Sequence, residues 1–170
     1  STVKYLLPCS VRKTVYPSLI LPHITYCCSA WSGTSQANKQ KLHRLMNRMC
    51  RNILGIRDIR FPSAGMYESL AILPLEQLFI QQVASDMFKF IHNHFKCNNM
   101  NFPPRIQETH NYPTRHGDDF QIPLPNLILS TKAFNIRGPK VWNALPMVVK
   151  DAPTLHVFKR KLKAHLKTDT

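Results

Sequence analysis

The run from Lys39 to Arg60, KQKLHRLMNRMCRNILGIRDIR, has two opposed faces, and this constrains the chain more than any other feature. On a 3.6-residue period Leu42, Leu45, Met46, Met49 and Ile53 share one face. Lys41, Arg44, Arg48 and Arg51 share another, away from the apolar stripe. Lys39, Arg57 and Arg60 add to the positive charge, and only Asp58 opposes it. An apolar stripe has to be buried against a neighbour, which leaves the basic row facing water or a polyanion. On its own such a row is an ordinary solvated helix face. The rest of the composition shifts the balance.

The 170-residue chain carries a formal charge of +14, with 23 Lys and Arg against 9 Asp and Glu. The implied partner is anionic, nucleic acid ahead of an acidic membrane. Thirteen prolines against five glycines impose many stiff breaks, while a 44% hydrophobic content is enough to build a core. The five cysteines, Cys9, Cys27, Cys28, Cys50 and Cys97, follow no repeated spacing, which points to free thiols in a reducing, intracellular setting, nuclear or cytoplasmic. The most apolar run, Val15 to Trp31, is interrupted by Pro17, Pro22 and His23 and falls short of the roughly 20 clean residues a membrane span needs. The opening residues carry no export signal and already look like part of an element, so the chain reads as the tail of something larger.

Taken in order, residues 3–32 read as helix with a fault. Tyr16, Ile20, Ile24, Cys27 and Trp31 form one stripe, and Pro22 predicts a kink or break. Ser35 or Thr34 is the expected N-cap of the basic helix, and Gly55 its end. Phe61-Pro62-Ser63 is a turn, followed by a short helix to Leu70. Pro74, expected at the first helical position, opens a helix from Leu75 to about Phe95 with Leu75, Leu78, Phe79, Val83, Met87, Phe90 and Ile91 on its core face. From Asn98 to Ser130 the prolines forbid long helix, leaving an extended arm or a functional loop. Ala133 to Ile136 reads as a short strand and Gly138-Pro139 as a turn, with Trp142 and Leu145 as anchors. Thr154 caps a last helix that buries Leu155, Phe158, Leu162 and Leu166. Lys159, Arg160, Lys161, Lys163 and Lys167 make that helix basic.

The expected fold class is mainly α: a small helical bundle with a Pro-rich extended arm and a C-terminal basic amphipathic helix. Four segments follow: 1–62, 63–97 continuing the same core, the arm 98–140, and 141–170.

Catalytic motifs are few. Gly117-Asp118-Asp119 has the form of a polymerase aspartate pair, but two-metal chemistry needs such a pair at an apolar strand hairpin facing a further carboxylate. Arg115-His116 and Phe120-Gln121 flank it in a proline-broken loop, so it is assigned no catalytic role. His92, His94 and Cys97 have ligand chemistry without the paired Cys spacing of structural zinc sites. Cys50 near His43 lacks a third orienting group and reads as a core thiol. Trp31 and Trp142 read as core anchors rather than base-stacking platforms.

Several stretches resemble one family in sequence and in order. YPSLILPHITYCCSAW, from Tyr16 to Trp31, resembles the helix after the last palm strands in reverse transcriptases of LINE-type (non-LTR) retrotransposons. LHRLMNRMCRNILG, from Leu42 to Gly55, is similar to that family's basic helix, and Ala71 to Glu76 to the start of the next one. Asn111 to Arg115, Arg137 to Pro146 and the closing run from Phe158 also match. The resemblance implies a C-terminal fragment of an RNA-directed DNA polymerase, with residues 1 to about 62 as the thumb that packs on the template–primer duplex. It also implies that fingers, palm, catalytic aspartates and Mg²⁺ lie upstream, with no cofactor in this chain. Lys41, Arg44, Arg48 and Arg51 are then expected to hold nucleic acid, an RNA or RNA–DNA duplex. Arg57 and Arg60 extend the positive surface, and Lys159, Lys161 and Lys163 form a second one. The alternative is a non-enzymatic basic module binding RNA or protein, a domesticated remnant. A peripheral membrane role is disfavoured, because several helices are available to bury the leucines.

Overall fold

A computed structural model describes residues 7–31, 33–94, 102–109, 117–124 and 130–168. Helix dominates, and among the described residues the only β pairing is an isolated antiparallel bridge between Arg105 and Phe120. In chain order the helices are α1 (Cys9–Val15), α2 (Leu21–Thr25), α3 (Cys28–Trp31), α4 (Gln36–Leu54), α5 (Ser63–Leu70), α6 (Leu75–Ile91), α7 (Ile106–Thr109), α8 (Phe134–Asn143), α9 (Met147–Lys150) and α10 (Leu155–Thr168). The expected mainly-α class holds. The chain divides into two compact units: residues 1–28 with 34–78, and residues 29–33 with 79–170.

In the first unit the faulted helix is real, with the fault on both sides of Pro22. A π-helical turn, Tyr16–Ile20, joins α1 to α2. Such wide turns occur where the regular ladder is interrupted, and Pro22 removes the donor that would otherwise bond one turn back. Beyond Thr25 the helix stops. Tyr26 is extended (ψ 125°) and Cys27 is left-handed (φ 47°), so the helical phase is lost. This corrects the continuous stripe: Tyr16, Ile24 and Cys28 are buried, whereas Cys27 is exposed.

The basic helix forms where its signals place it. The Ser35 side chain accepts from the Asn38 N–H, and Gly55, at φ 75°, closes the C-terminus with the Ile56 N–H bonded to the Arg51 carbonyl at 3.0 Å. Its inward face is Met46, Met49, Cys50 and Ile53, all buried. Leu42 is half-buried and Leu45 is 58% exposed, which narrows the predicted stripe. Helix α5 follows the Phe61-Pro62 turn as expected and packs on α4 through Met66 and Tyr67. It ends at Ala71, left-handed at φ 53°, with the Ile72 N–H bonded back to the Tyr67 carbonyl.

Pro74 sits one place before the first helical residue of α6, its carbonyl taking the Leu78 N–H at 2.9 Å. The helix is shorter than expected. Asn93 adopts φ 56° and the His94 N–H returns to the Lys89 carbonyl, a left-handed cap that sequence periodicity does not register. Phe95, the predicted end, lies outside the described residues, as do Cys97 and the Asn111 to Arg115 stretch.

In the second unit Phe88, Phe158 and Trp142 form the centre. The Phe88 and Phe158 rings lie 4.6 Å apart and Trp142 stacks on Phe158 at 5.8 Å. Trp31 meets Phe79 edge-on at 5.3 Å. Both tryptophans are anchors, as expected. The strand at Ala133–Ile136 and the turn at Gly138-Pro139 are not formed; Ala133 is an extended N-cap, and α8 takes the chain from Phe134 through Gly138-Pro139. The reason is tertiary: Ile136, Gly138, Pro139 and Trp142 share a buried face, and Gly138 lets the helix approach Met87 closely. Helix α10 buries Phe158, Leu162 and Leu166, with the Thr154 hydroxyl accepting the Val157 N–H at 3.4 Å; Leu155 is half-buried.

The expected arm 98–140 is extended only in part. Residues 102–105 and 119–124 carry no helix and are pinned back beside α7, whereas Ser130–Lys132 is a 3-10 turn and α8 takes the chain from Phe134 on. The Ile106 N–H bonds the Asp119 carbonyl and the Gln121 N–H bonds the Pro104 carbonyl, both at 2.9 Å. The Asn143 side chain then acts as a strand would: its Oδ1 accepts the Phe120 N–H at 3.0 Å and its Nδ2 donates to the Phe120 carbonyl at 2.8 Å.

Candidate nucleic-acid interface

Lys41, Arg44 and Arg48 are exposed on α4, and Arg51, half-buried, continues their row. Their spacing of three, four and three residues keeps them on one side, over about 15 Å of helix axis at 1.5 Å per residue. The side chains of Lys41, Arg44 and Arg48 make no ion pair with any described residue. Arg51 reaches past the helix end, its Nη1 donating to the Ile59 carbonyl at 3.5 Å. That contact ties the following loop to the row. Arg57 and Arg60 on the loop are exposed, and the Asp58 carboxylate, the only acid there, accepts the Arg60 N–H at 2.8 Å. One strand of a duplex carries a phosphate about every 3.4 Å of axis, so a 15 Å row spans roughly four of them.

Contacts from α1 and α5 hold α4 in place. Arg12 donates to the Asn52 carbonyl, and the Cys9 thiol contacts the Ile53 carbonyl at 3.4 Å. From α5, Tyr67 donates to Asn47 Oδ1 at 2.5 Å. Burial pushes the Cys50 thiol up to about 11 and the Tyr67 phenol up to about 12, and raises Tyr16 as well. A thiol held protonated is a poor nucleophile, so Cys50 belongs to the core. Leu45 escapes burial because it borders an open groove of about 360 Å³, with Val15, Tyr16 and Ile20 opposite and Arg48 at its edge.

The second basic face is less uniform. Lys159 and Lys163 are exposed on α10, but Lys161 is half-buried and its ammonium donates to the Val148 carbonyl at 2.9 Å. Lys161 is therefore partly committed to holding α9.

Asp118 and Asp119 do not face one another across a metal site. Asp118 pairs with Arg105 at 3.2 Å, and Asp119 pairs with Lys150 at 2.9 Å, both members of the latter pair being largely buried. Each carboxylate is opposed by its own cation. Among the described residues, no group of three metal-ligating side chains occurs and no helix is long and apolar enough to cross a membrane. His92 stacks on Phe88 at 4.0 Å and places Nδ1 2.9 Å from the Phe88 carbonyl.

Sequence reasoning missed two arrangements. One is the Asn143–Phe120 clamp, which joins residues 23 apart. The other is the pairing of Asp119 with Lys150, 31 residues apart, which no local pattern encodes. No protein-family model matches this chain, and the comparisons with curated proteins and with solved structures return no significant match.

Proposed function

We propose that α4 and the loop after it hold nucleic acid by its phosphate backbone, as part of the C-terminal region of a LINE-type RNA-directed DNA polymerase. The observation that carries the reading is the row of exposed Lys41, Arg44 and Arg48, continued by half-buried Arg51, on a helix whose other face is buried. Anionic partners are attracted to such a row without regard to sequence. A template–primer duplex, RNA–DNA or RNA, is the substrate that the resemblance adds. The palm and fingers, with their Mg²⁺, are partners encoded upstream, and no residue here is assigned a catalytic step. The ion pairs of Asp118 and Asp119 favour a second reading for the chain in isolation: a non-enzymatic RNA- or protein-binding remnant. An upstream reading frame encoding a palm with an aspartate pair separates the two.

Salt dependence of duplex binding tests the interface. Replacing Arg48 and Arg51 by Gln leaves the buried face whole. The log–log salt slope should then fall in magnitude by about 1.8, roughly 0.9 per lost phosphate contact. Lys159→Gln with Lys163→Gln is the comparison. Equal loss from both pairs means diffuse attraction, and unchanged binding in the Arg48, Arg51 variant returns α4 to an ordinary solvated helix.

A further inference from the structure

The basic row on α4 ends against a loop that is not simply basic. Between Gly55 and α5 the chain reads Ile56-Arg57-Asp58-Ile59-Arg60-Phe61-Pro62. Ile59 is 81% exposed and Phe61 41% exposed, and exposed Arg57 and Arg60 flank Ile59. Single exposed apolar residues are common on any surface. This pair differs in being held and in where it is held. The Arg51 guanidinium bonds the Ile59 carbonyl at 3.5 Å, and the Asp58 carboxylate bonds the Arg60 N–H at 2.8 Å. Gly55, left-handed at φ 75°, turns the chain back at the helix end so that the loop meets Arg51. The Phe61 ring lies over the first turn of α5, its edge 3.7 Å from the position a Cβ on Gly65 would take. The ring edge thus rests near α5 while the residue stays open to solvent. Arg51, the last cation of the row, and the exposed Ile59 of this pair are neighbours.

We propose that this loop engages unpaired bases where a duplex held along α4 gives way to single strand, with Phe61 as a stacking platform and Ile59 as a wedge. The inference rests on the phosphate-binding reading and adds the ligand's structure to it: a duplex with an adjoining overhang. Phosphates alone give an exposed isoleucine or phenylalanine nothing to contact. Bases do, because every base has an apolar face that stacks on an aromatic ring, and apolar side chains insert between base steps. The flanking Arg57 and Arg60 supply the charge complementarity that a purely apolar tip lacks. An anionic lipid surface would also accept basic and apolar side chains together. The row of cations extending about 15 Å along one helix before the apolar tip favours a linear polyanion over a planar one.

The test uses the full 170-residue chain and two probes of equal duplex length, one blunt and one carrying a short single-stranded overhang. Fluorescence anisotropy gives Kd for each at fixed salt. The wild-type chain should bind the overhang probe at least about fivefold more tightly, the lower end of what one aromatic–base stack contributes. Ile59→Ala with Phe61→Ala should abolish that preference and leave blunt-duplex affinity within about twofold. Arg44→Gln with Arg48→Gln, which leaves the Arg51 bond to the Ile59 carbonyl in place, should weaken both probes and keep their ratio. Ile59→Ala alone should reduce the preference in part; the side chain is so exposed that folding is not at stake, and unchanged helical circular dichroism confirms that for each variant.

Equal binding of both probes by the wild-type chain overturns the stacking role while the phosphate reading stands. Binding of neither probe removes both. Equal loss on blunt and overhang probes in the Ile59, Phe61 variant also overturns the proposal, as does association with phosphatidylserine vesicles that depends on Ile59 and Phe61 when the overhang preference does not.

Discussion

Gly138→Ala sets two effects of opposite sign against each other. Gly138 lies inside α8, where alanine is the better helix former by about 0.8–1 kcal/mol. A Cβ at this position, however, would lie 2.5 Å from Met87 Sδ and 3.1 Å from Met87 Cγ, with Phe134 Cζ at 3.5 Å. Comfortable carbon contacts begin near 3.5 Å, so the methyl group is about 1 Å too close. Met87 is fully buried, leaving its thioether little room to move aside. Overpacking of this kind costs about 1–3 kcal/mol. Sterics should therefore win, with a net destabilisation of about 1 kcal/mol. Urea unfolding followed by the fluorescence of buried Trp142 measures it. Met87→Ala supplies the second arm: alone it opens a cavity and costs about 2–5 kcal/mol. In the Gly138→Ala background the added methyl group occupies part of that cavity, so the double variant should be more stable than the sum of the singles by at least about 1 kcal/mol. A neutral or stabilising Gly138→Ala, or strict additivity, would refute the close approach of α8 to Met87.

Asn143→Leu removes both bonds of the clamp on Phe120 and leaves two backbone groups of a buried residue unpaired, so it should destabilise the second unit by about 2–4 kcal/mol in the same unfolding assay. Stability should also fall at alkaline pH. Cys50 and Tyr67 are raised from 9.0 and 10.0 to about 11 and about 12, so the unfolded chain ionises first. The stabilisation is fully present below about pH 9 and is lost as pH rises through the folded values. Thermal scans from pH 8 to 11.5 should show a falling Tm, with a shallower fall in Cys50→Ala. In primer extension with a primed RNA template, Mg²⁺ and four nucleotides, the chain alone should give no product; extension that vanished in Asp118→Asn, Asp119→Asn would reverse the assignment of those residues to ion pairs.

Local rules and tertiary packing divide this protein between them. Helix α4 was legible because period, cap and stop agree within one stretch: the apolar positions recur at 3.6 residues, Ser35 supplies an acceptor at the start, and Gly55 takes a left-handed φ at the end. The row Lys41, Arg44, Arg48 and Arg51 was legible for the same reason, since angular position on a regular helix follows from spacing alone. Helix α10 and the core role of Trp142 were readable on similar grounds. Periodicity did not reach Leu45, whose burial depends on whether a neighbour covers it, and a groove lies there instead. Nor did it reach α8, where Gly138-Pro139 carries every local mark of a turn. That stretch is helical because a buried face built from Ile136, Gly138, Pro139 and Trp142 outweighs local propensity. The two carboxylates of Gly117-Asp118-Asp119 were legible as residues but not as pairs. Arg105 and Lys150 are distant in sequence, and only the folded chain brings each cation within 3.2 Å or less of its aspartate.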